Sequence, residues 1–387
     1  MSRLAVEGAG SSAGPDSPAT PVILTLVPRS YLPSLRGGLE ITAQAVLETL
    51  VDLPAVQHVA ARNAPFRSGL AARLLRRLRG AYCTGYSFRG YRVHTDLFHP
   101  LELETLVSRL RPDALVCHVA GPDLAKAVSV LDLPTLFYVH DRDCGKALAD
   151  VGRVTVRRFA GVSRFIAELV HRATAEATAV IPPPIDPRDY RVNARGDSVL
   201  VVNPHPMKGG HRVVEIARAL PWRRFIVAGG WENAGTDHAE TEVERALSRL
   251  ENVERIPHVS DMRTVFRRSR CLLMPSVVEE AFGRTAAEAQ IAGLPVLASD
   301  RGALPETVGS GGVTLSLDAP PGAWVDVLER YFTDEPYYEG LVGAALQQAM
   351  EPVRQVSRVR DELRRIVCEL IAAPERRVAN TGRGRGA

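Results

Sequence analysis

Short apolar runs alternate with longer amphipathic stretches from residue 21 to about residue 373. In the first half, "PVILTLVP" predicts a buried strand, and "EITAQAVLETLVDL" predicts the helix after it. "DALVCHVA", "PTLFYVHD" and "RFAGVSRFI" continue the alternation. Near-continuous apolar strands separated by helices are typical of parallel sheets that are covered on both faces.

The second half of the chain repeats this pattern. Further strands are predicted at "SVLVVNP", "RRFIVAGG", "VERIPHV", "RCLLMPS" and "LPVLASD". "HRVVEIARAL" and "TEVERALSRL" predict helices between them. The run "VIPPPIDPRDYRVNARGDS" interrupts the alternation, and its prolines and polar residues suit a linker.

The chain is therefore predicted to be an α/β protein with two Rossmann-like parallel-sheet domains. Because ligands bind beyond the carboxyl ends of parallel strands, two such domains facing each other predict a binding cleft between them. The predicted segments are a disordered tail at residues 1–20, a first domain at 21–185, a second domain at 186–355, a crossover helix at 356–373 and a disordered basic tail at 374–387.

The length, composition and charge of the chain indicate a globular protein and argue against nucleic-acid-binding and membrane-spanning classes. A chain of 387 residues suits about two domains, and 45% hydrophobic with 24% charged residues is typical of a globular protein. A net charge of +4 is too small to favour nucleic acid as a partner. No apolar run reaches the roughly 18 residues of a membrane span. The first residues lack the features of a signal peptide, so we expect a cytoplasmic protein.

Two other patterns carry no predicted chemistry. The five cysteines are odd in number and lack metal or redox spacing, so buried free thiols in a reducing cytoplasm are expected. "GAGSSAG" (residues 8–14) looks like a dinucleotide-binding loop, but it precedes the first strand instead of following one.

The stretch "SVVEEAFGRTAAEAQIAG" places two carboxylates, Glu280 and Glu288, around a strand-to-helix loop. Backbone N–H groups of Phe282, Gly283 and Arg284 would point out of the predicted helix start, which attracts anions. Carboxylates beside an anion site are suited to hydroxyls that flank a phosphate. This combination predicts a nucleotide sugar, with ribose on one side and sugar on the other.

At residues 276–308 the chain resembles the E-x7-E region of the family 4 retaining glycosyltransferases, which have the GT-B fold. The resemblance implies that Glu280 contacts the donor sugar and that Glu288 contacts the ribose. It also implies that the crossover helix returns to the first domain. The similarity covers most of residues 22–318 and is weak between about 54 and 110.

Further segments resemble the family at the expected distances. "LRGGLEITAQAVL" is similar to its glycine loop, which implies that Gly37 and Gly38 bring N–H groups to the diphosphate. "FYVHD" is similar to the strand end whose histidine contacts the donor sugar, here His140. "VVNPHPMKGGHRVV" is similar to the loop whose lysine holds the diphosphate, here Lys208.

The chain departs from the family pattern at several positions. Asn203 stands where the family usually has an arginine, and we expect Arg284 to supply the missing diphosphate charge. His258 stands where a glycine is frequent at the base pocket. Prolines 183 and 184 replace a common Asn-Gly turn, which predicts a stiffer hinge. Glu306 is expected to cap the helix that follows it.

The stretch "FRSGLAARLLRRLRG" carries five arginines between residues 67 and 79. A charged face on a surface helix is the default interpretation, and contact with an anionic acceptor or with acidic lipid headgroups is the alternative. It lies in the first domain, where acceptors bind in this fold.

The resemblance implies a retaining glycosyltransferase that moves a sugar from a nucleoside diphosphate to an acceptor hydroxyl or amine. His140, Lys208 and Glu280 are the expected catalytic residues, with no metal and no cofactor besides the donor. We favour a soluble small-molecule acceptor such as a natural product over a lipid-linked or cell-envelope glycan. A nucleotide-sugar epimerase and a non-catalytic sugar-nucleotide-binding subunit are the rival interpretations.

Overall fold

The structure is a computed structural model of the whole chain. It describes residues 20–29, 31–32, 37–61, 84–95, 100–144, 147–148, 151, 154–230 and 241–373. The arginine-rich stretch at 67–79, Cys83 and the two terminal tails lie outside these ranges, so the predictions made for them remain predictions.

The first half of the chain forms an eight-stranded sheet in the order β3-β4-β2-β1-β5-β6-β7-β8. Its strands are β1 (Val22–Val27), β2 (Val56–Ala61), β3 (Thr84–Phe88), β4 (Tyr91–Thr95), β5 (Ala114–Val119), β6 (Thr135–Val139), β7 (Arg157–Gly161) and β8 (Thr178–Val180). The predicted "RFAGVSRFI" segment is split, because Ser163 caps a new helix by accepting from the backbone N–H of Ile166.

One strand pair departs from the predicted parallel arrangement. Strands β3 and β4 are antiparallel and are joined by only two residues, Arg89 and Gly90. Both have positive φ, 46° and 88°, which is the backbone of the tight turn that connects hairpin strands. A two-residue connection cannot make the crossover that a parallel pair needs, so this edge of the sheet is a hairpin.

The second sheet has six parallel strands in the order β11-β10-β9-β12-β13-β14. They are β9 (Ser198–Val202), β10 (Arg224–Ala228), β11 (Val253–Ile256), β12 (Ser269–Met274), β13 (Val296–Ser299) and β14 (Gly312–Leu315). Strands β9 and β12 are fully or nearly fully buried in the centre, as their continuous apolar sequences predict.

Helices cover both sheets. In the described part of the chain they are α1 (Gly38–Thr49), α2 (Pro100–Leu110), α3 (Pro122–Ser129), α4 (Arg164–Thr174), α5 (Gly210–Ala219), α6 (Glu242–Leu247), α7 (Arg263–Phe266), α8 (Arg284–Ile291), α9 (Leu304–Val308), α10 (Pro321–Thr333), α11 (Glu335–Ala349) and α12 (Val356–Ala372). The last helix returns to the first sheet: buried residues of α12 such as Leu363 and Val367 belong to the core of that sheet. Arg364 Nε donates to the Thr49 carbonyl of α1 over 2.8 Å.

Cys117, Cys144 and Cys271 are buried free thiols, and burial raises the pKa of the latter two to about 11 and about 12. Cys368 is exposed, contrary to expectation, because it lies on the outer face of α12. Among the described residues, no helix combines the length and the apolar character needed to cross a membrane.

Candidate active site

A cavity of about 650 Å³ lies between the two domains. Its walls contain residues from α1 of the first domain, from the linker and from the loops after strands of the second sheet. The structure brings these predicted site residues together around it: Gly38, Asn203, Lys208, His258, Glu280, Arg284 and Glu288. Gly37, His140, Phe282 and Gly283 lie outside its lining.

Lys208 and Glu280 form an ion pair at one wall of the cavity. The Lys208 Nζ lies 2.6 Å from Glu280 Oε1, and the Ser276 hydroxyl donates to the same oxygen over 2.8 Å. Lys208 comes from the short turn after β9, and Glu280 from the loop after β12. The two loops meet because β9 and β12 are neighbours in the sheet, so their carboxyl ends lie side by side.

Gly283 sets the start of α8 in a left-handed conformation, with φ of 81°. A Cβ at this position would lie 2.7 Å from Leu304 Cδ2, so a side chain would force the loop away from α9. The preceding residue, Phe282, is buried in a core cluster that joins residues of the first sheet to Ala287 and Ile291 of α8. The loop is therefore fixed on both sides before the helix begins at Arg284.

Arg284 and Glu288 form a second ion pair, one helical turn apart and largely buried. Nε of Arg284 lies 2.6 Å from Glu288 Oε1. The same guanidinium lies 3.4 Å from the Thr42 hydroxyl of α1 and 3.3 Å from the Tyr190 hydroxyl of the linker. Its Cδ is 4.0 Å from where a Cβ on Gly38 would lie. Arg284 thus links the start of α8 in the second domain to the start of α1 in the first.

The pair also controls the ionisation of the carboxylate. Burial raises the pKa of Glu288, whereas the Arg284 charge and the Tyr190 hydroxyl act to lower it. For Arg284, burial is the largest single influence and acts to lower the pKa, but the Glu288 carboxylate and Tyr190 together outweigh it, so the pKa is raised. At a distance of 2.6 Å, the pair is held as a charge-assisted hydrogen bond.

Asn203 lies in the cavity wall, beside Gly230. It has a left-handed backbone, φ 57°, and its side chain fills the space beside Gly230, where a Cβ would lie 2.7 Å from Asn203 Cγ. His258 lines the cavity after β11, next to residues 259–263. Asp261 is held there by both Nε and Nη2 of Arg263, at 2.8 and 2.9 Å.

His140 lies at the end of β6, on the first-domain side of the interface. Its neighbour along the chain, Arg142, forms an ion pair with Glu279, which directly precedes Glu280. Gly37 is the N-cap of α1 and adjoins the cavity-lining Gly38. Both residues therefore border the cleft without lining the cavity.

The structure contradicts the expectation that Glu306 caps the helix that follows it. Its carboxylate does not cap a following helix: it accepts from the backbone N–H groups of Arg164 (3.1 and 3.0 Å) and Phe165 (3.4 Å). These are the free donors at the start of α4 in the first domain, so the charge stabilises that helix from across the interface. Nearby, the Ser163 hydroxyl donates to the Ala281 carbonyl over 2.6 Å.

The first-domain wall of the cavity includes residues that the sequence did not single out. Leu32 lies in the connection between β1 and α1, Ile41 and Gln44 lie on the first two turns of α1, and Phe88 and Arg89 lie at the tip of the β3–β4 hairpin. The alternation in "TGYSFRGYRVHT" around an Arg-Gly turn is the signal that could have revealed the hairpin. Within the described ranges, no group of three or more potential metal ligands occurs.

Comparison with solved structures establishes the fold class. Sucrose-phosphate synthase from Thermosynechococcus elongatus superposes with a TM-score of 0.74 at 14% identity, covering 92% of this chain and 100% of that one. The Anabaena protein HepE in complex with UDP-glucose superposes with a TM-score of 0.69 at 17% identity, covering 90% and 99%. The architecture of two facing Rossmann-like domains is the GT-B fold, as the resemblance in sequence implied.

Sequence comparison is more specific for the second domain. Residues 198–348 match the family model described as "Glycosyl transferases group 1". The D-inositol 3-phosphate glycosyltransferase of Mycobacterium tuberculosis is 36% identical over 130 residues, which are 32% of this chain and 27% of that protein. The aligned part thus spans about a quarter of the length of the curated relative.

Proposed function

We propose that this chain is a retaining glycosyltransferase that uses a nucleoside diphosphate sugar without a metal ion. The observation that carries the proposal is the charge pattern of the cavity between the domains. Two cations, Lys208 and Arg284, stand beside two carboxylates, Glu280 and Glu288. Cations suit a diphosphate, and carboxylates suit the hydroxyls of the sugar and ribose on either side of it.

The proposed reaction exchanges one bond at the anomeric carbon of the donor sugar for another. The bond to the diphosphate oxygen breaks while the acceptor oxygen attacks from the same face, and the acceptor proton passes to the departing phosphate. Lys208 and Arg284 stabilise the charge that develops on the diphosphate, and Glu280 orients the sugar. The retained configuration follows from the resemblance to family 4.

The proposal is tested first by ligand binding. In a panel of uridine, guanosine, thymidine and adenosine diphosphates, we expect one to raise the unfolding free energy by about 2.7 kcal/mol at 100 times its dissociation constant. The corresponding nucleotide sugars are then screened for turnover, and NMR of the product reads the anomeric configuration. No shift with any diphosphate contradicts the proposal, and an inverted product contradicts retention.

Metal independence is a separate expectation. Because protein cations stand beside the proposed diphosphate site, turnover should be unchanged in excess chelator. The measurement is initial rate with and without chelator, followed by addition of Mg²⁺ or Mn²⁺. A rate that falls with chelator and returns with either ion would show that the site needs a metal.

For the acceptor, we propose a soluble small molecule that contacts the first-domain wall. This wall combines apolar side chains, Leu32 and Ile41, with an aromatic ring, Phe88, and two polar groups, Gln44 and Arg89. The mycobacterial relative is a D-inositol 3-phosphate glycosyltransferase, and a small polyol phosphate of that kind is consistent with the acceptor proposed for this chain. A lipid-linked or envelope glycan is the alternative.

The hairpin tip offers a direct test of this acceptor site. The Phe88 ring is held by an edge-on contact with Tyr31 (centroids 6.3 Å apart), and the Tyr31 and Tyr91 hydroxyls are 2.9 Å apart. We expect Phe88→Ala to raise the KM for the acceptor about tenfold, the loss of about 1.4 kcal/mol of aromatic contact. The KM for the donor should stay the same, and donor hydrolysis without acceptor should persist. An equal change in both KM values would place Phe88 outside the acceptor site.

The two rival functions predict different reactions at the same cavity. An epimerase would convert the nucleotide sugar without any acceptor, so product analysis in the absence of acceptor separates the two. A non-catalytic binding subunit would bind the diphosphate but show no turnover with any acceptor. The presence of both Lys208 and Glu280 at the cavity wall favours the transferase.

A further inference from the structure

A second histidine lies behind His140. His118, the penultimate residue of β5, is fully buried, and its Nδ1 is 2.8 Å from His140 Nε2. The two rings are stacked, with centroids 5.0 Å apart at 21°. His118 pairs with Tyr138 in the ladder between β5 and β6, and His140 directly follows the last pair, Val119 with Val139, so the two histidines meet diagonally across adjacent strands.

The surroundings leave neither ring free to rotate. Tyr138 packs on both imidazoles, with centroids 5.5 Å from His118 and 4.5 Å from His140. Its own hydroxyl donates to the buried carbonyl of Ile181 over 2.7 Å, which fixes the tyrosine. The backbone N–H of His140 donates to the Val119 carbonyl over 2.9 Å, which fixes the main chain at this position. The orientation of the pair is therefore set by packing.

Both histidines are neutral at physiological pH. Burial lowers the pKa of His118 to about 3, and burial together with His118 lowers the pKa of His140 well below its ordinary value. A neutral imidazole carries one proton, on one of its two nitrogens. The hydrogen bond between the rings can therefore form in two ways, with either His118 Nδ1 or His140 Nε2 as the donor. Each choice determines which nitrogen carries the proton in both rings.

The two arrangements differ in whether the buried His118 Nε2 carries a proton that has no hydrogen-bond partner. If His140 Nε2–H donates, His118 must carry its proton on Nε2, and that nitrogen is buried without a hydrogen-bond partner. If His118 Nδ1–H donates, His118 Nε2 is only an unused acceptor. A buried N–H without a partner is rarer than an under-used acceptor, so the second arrangement is favoured.

We propose that His118 is a positioning residue that holds His140 in the Nδ1–H tautomer, so that His140 keeps a hydrogen-bond donor available at the cleft. This inference rests on the proposed function only for what His140 contacts, namely a hydroxyl of the donor sugar. The nitrogen that carries a histidine proton is set by the partner of the other nitrogen, and here that partner is His118.

The tautomer is measured by long-range ¹H–¹⁵N NMR of protein labelled in its histidines, assigned with the variants His118→Phe and His118→Asn. We expect His140 as Nδ1–H in the wild-type protein and in His118→Asn, whose amide N–H replaces the Nδ1 donor. In His118→Phe, His140 loses its fixed partner and should shift towards Nε2–H. His140 as Nε2–H in the wild-type protein overturns the inference, even where a variant fails to fold.

Kinetics supply the second readout. His118→Phe should lower kcat/KM for the nucleotide sugar about tenfold, whereas His118→Asn should stay within about threefold of the wild type. Equal losses in both variants would show a role in packing alone and would overturn the positioning role. Because NMR reads the tautomer without turnover, failure of this inference is distinguishable from failure of the proposed function.

Discussion

Replacement of Lys208 by alanine is expected to lower kcat/KM for the nucleotide sugar by about 10²- to 10³-fold, the value of one positioned charge donor in a transition state, about 2.7–4 kcal/mol. Lys208 is the cation of the second-domain loop that reaches the cavity, and Asn203 stands where a second one would help it. We therefore expect no other side chain of the loop after β9 to compensate for the lost charge.

The change has a structural consequence that the experiment must separate. Without Lys208, Glu280 keeps the Ser276 hydroxyl at 2.8 Å but loses its counter-charge. Lys208→Met keeps the length of the side chain without its charge and serves as the second variant. Lys126→Ala, at an exposed position on α3, is the matched control and should keep wild-type activity.

Steady-state rates for the three variants test whether Lys208 stabilises the diphosphate. If Lys208→Ala and Lys208→Met both retain near wild-type kcat/KM with unchanged unfolding temperature, the diphosphate is held elsewhere. Binding of the intact nucleotide sugar, measured by calorimetry, should weaken less than the rate, because the diphosphate gains negative charge as its bond to the sugar breaks.

The sequence predicted the elements that follow a local rule. Strands such as β9 and β12 are continuous apolar runs, and the loop around Gly283 has a strand end, a left-handed glycine and a helix start within a few residues. Such features are specified by neighbours along the chain. The predicted two-sheet α/β architecture followed from them, because alternating strands and helices leave few other arrangements.

Contacts between distant residues could not be predicted in the same way. Lys208 and Glu280 are 72 positions apart, and Tyr190 and Arg284 are 94 positions apart. The partner of Glu306 lies 142 positions away, which is why a local cap was the expected role. The resemblance placed several residues in one site but did not indicate that its cations and carboxylates are paired with each other.

This pairing leads to the second large effect, at Glu288. Glu288→Ala should weaken binding of the nucleoside diphosphate by about 1–3 kcal/mol, or about 5- to 150-fold, since ribose hydroxyls would lose their acceptor. The corresponding nucleoside monophosphate should weaken as well, because it carries the same ribose. Glu288→Gln, which keeps the shape and one acceptor oxygen, should lose less.

Arg284→Ala should give a different pattern. If the guanidinium moves from Glu288 to the diphosphate when the donor binds, its removal should weaken the diphosphate more than the monophosphate. Arg218→Ala, at an exposed position on α5 of the same domain, is the control and should change neither. Calorimetry of the wild type and both variants with both nucleotides measures the six affinities.

The pH dependence of binding provides an independent check on the pair. Burial raises the pKa of Glu288, and the Arg284 charge is the largest influence that lowers it. In Arg284→Ala the burial effect is opposed by the Tyr190 hydroxyl but no longer by the Arg284 charge, so the carboxyl should take up its proton at a higher pH than in the wild type. Because a protonated Glu288 is a poorer acceptor, nucleotide affinity should begin to fall at a higher pH as the solution is acidified. An acid limb at the same pH in both proteins, together with equal losses for the two nucleotides, would show that Arg284 neither holds Glu288 ionised nor reaches the diphosphate.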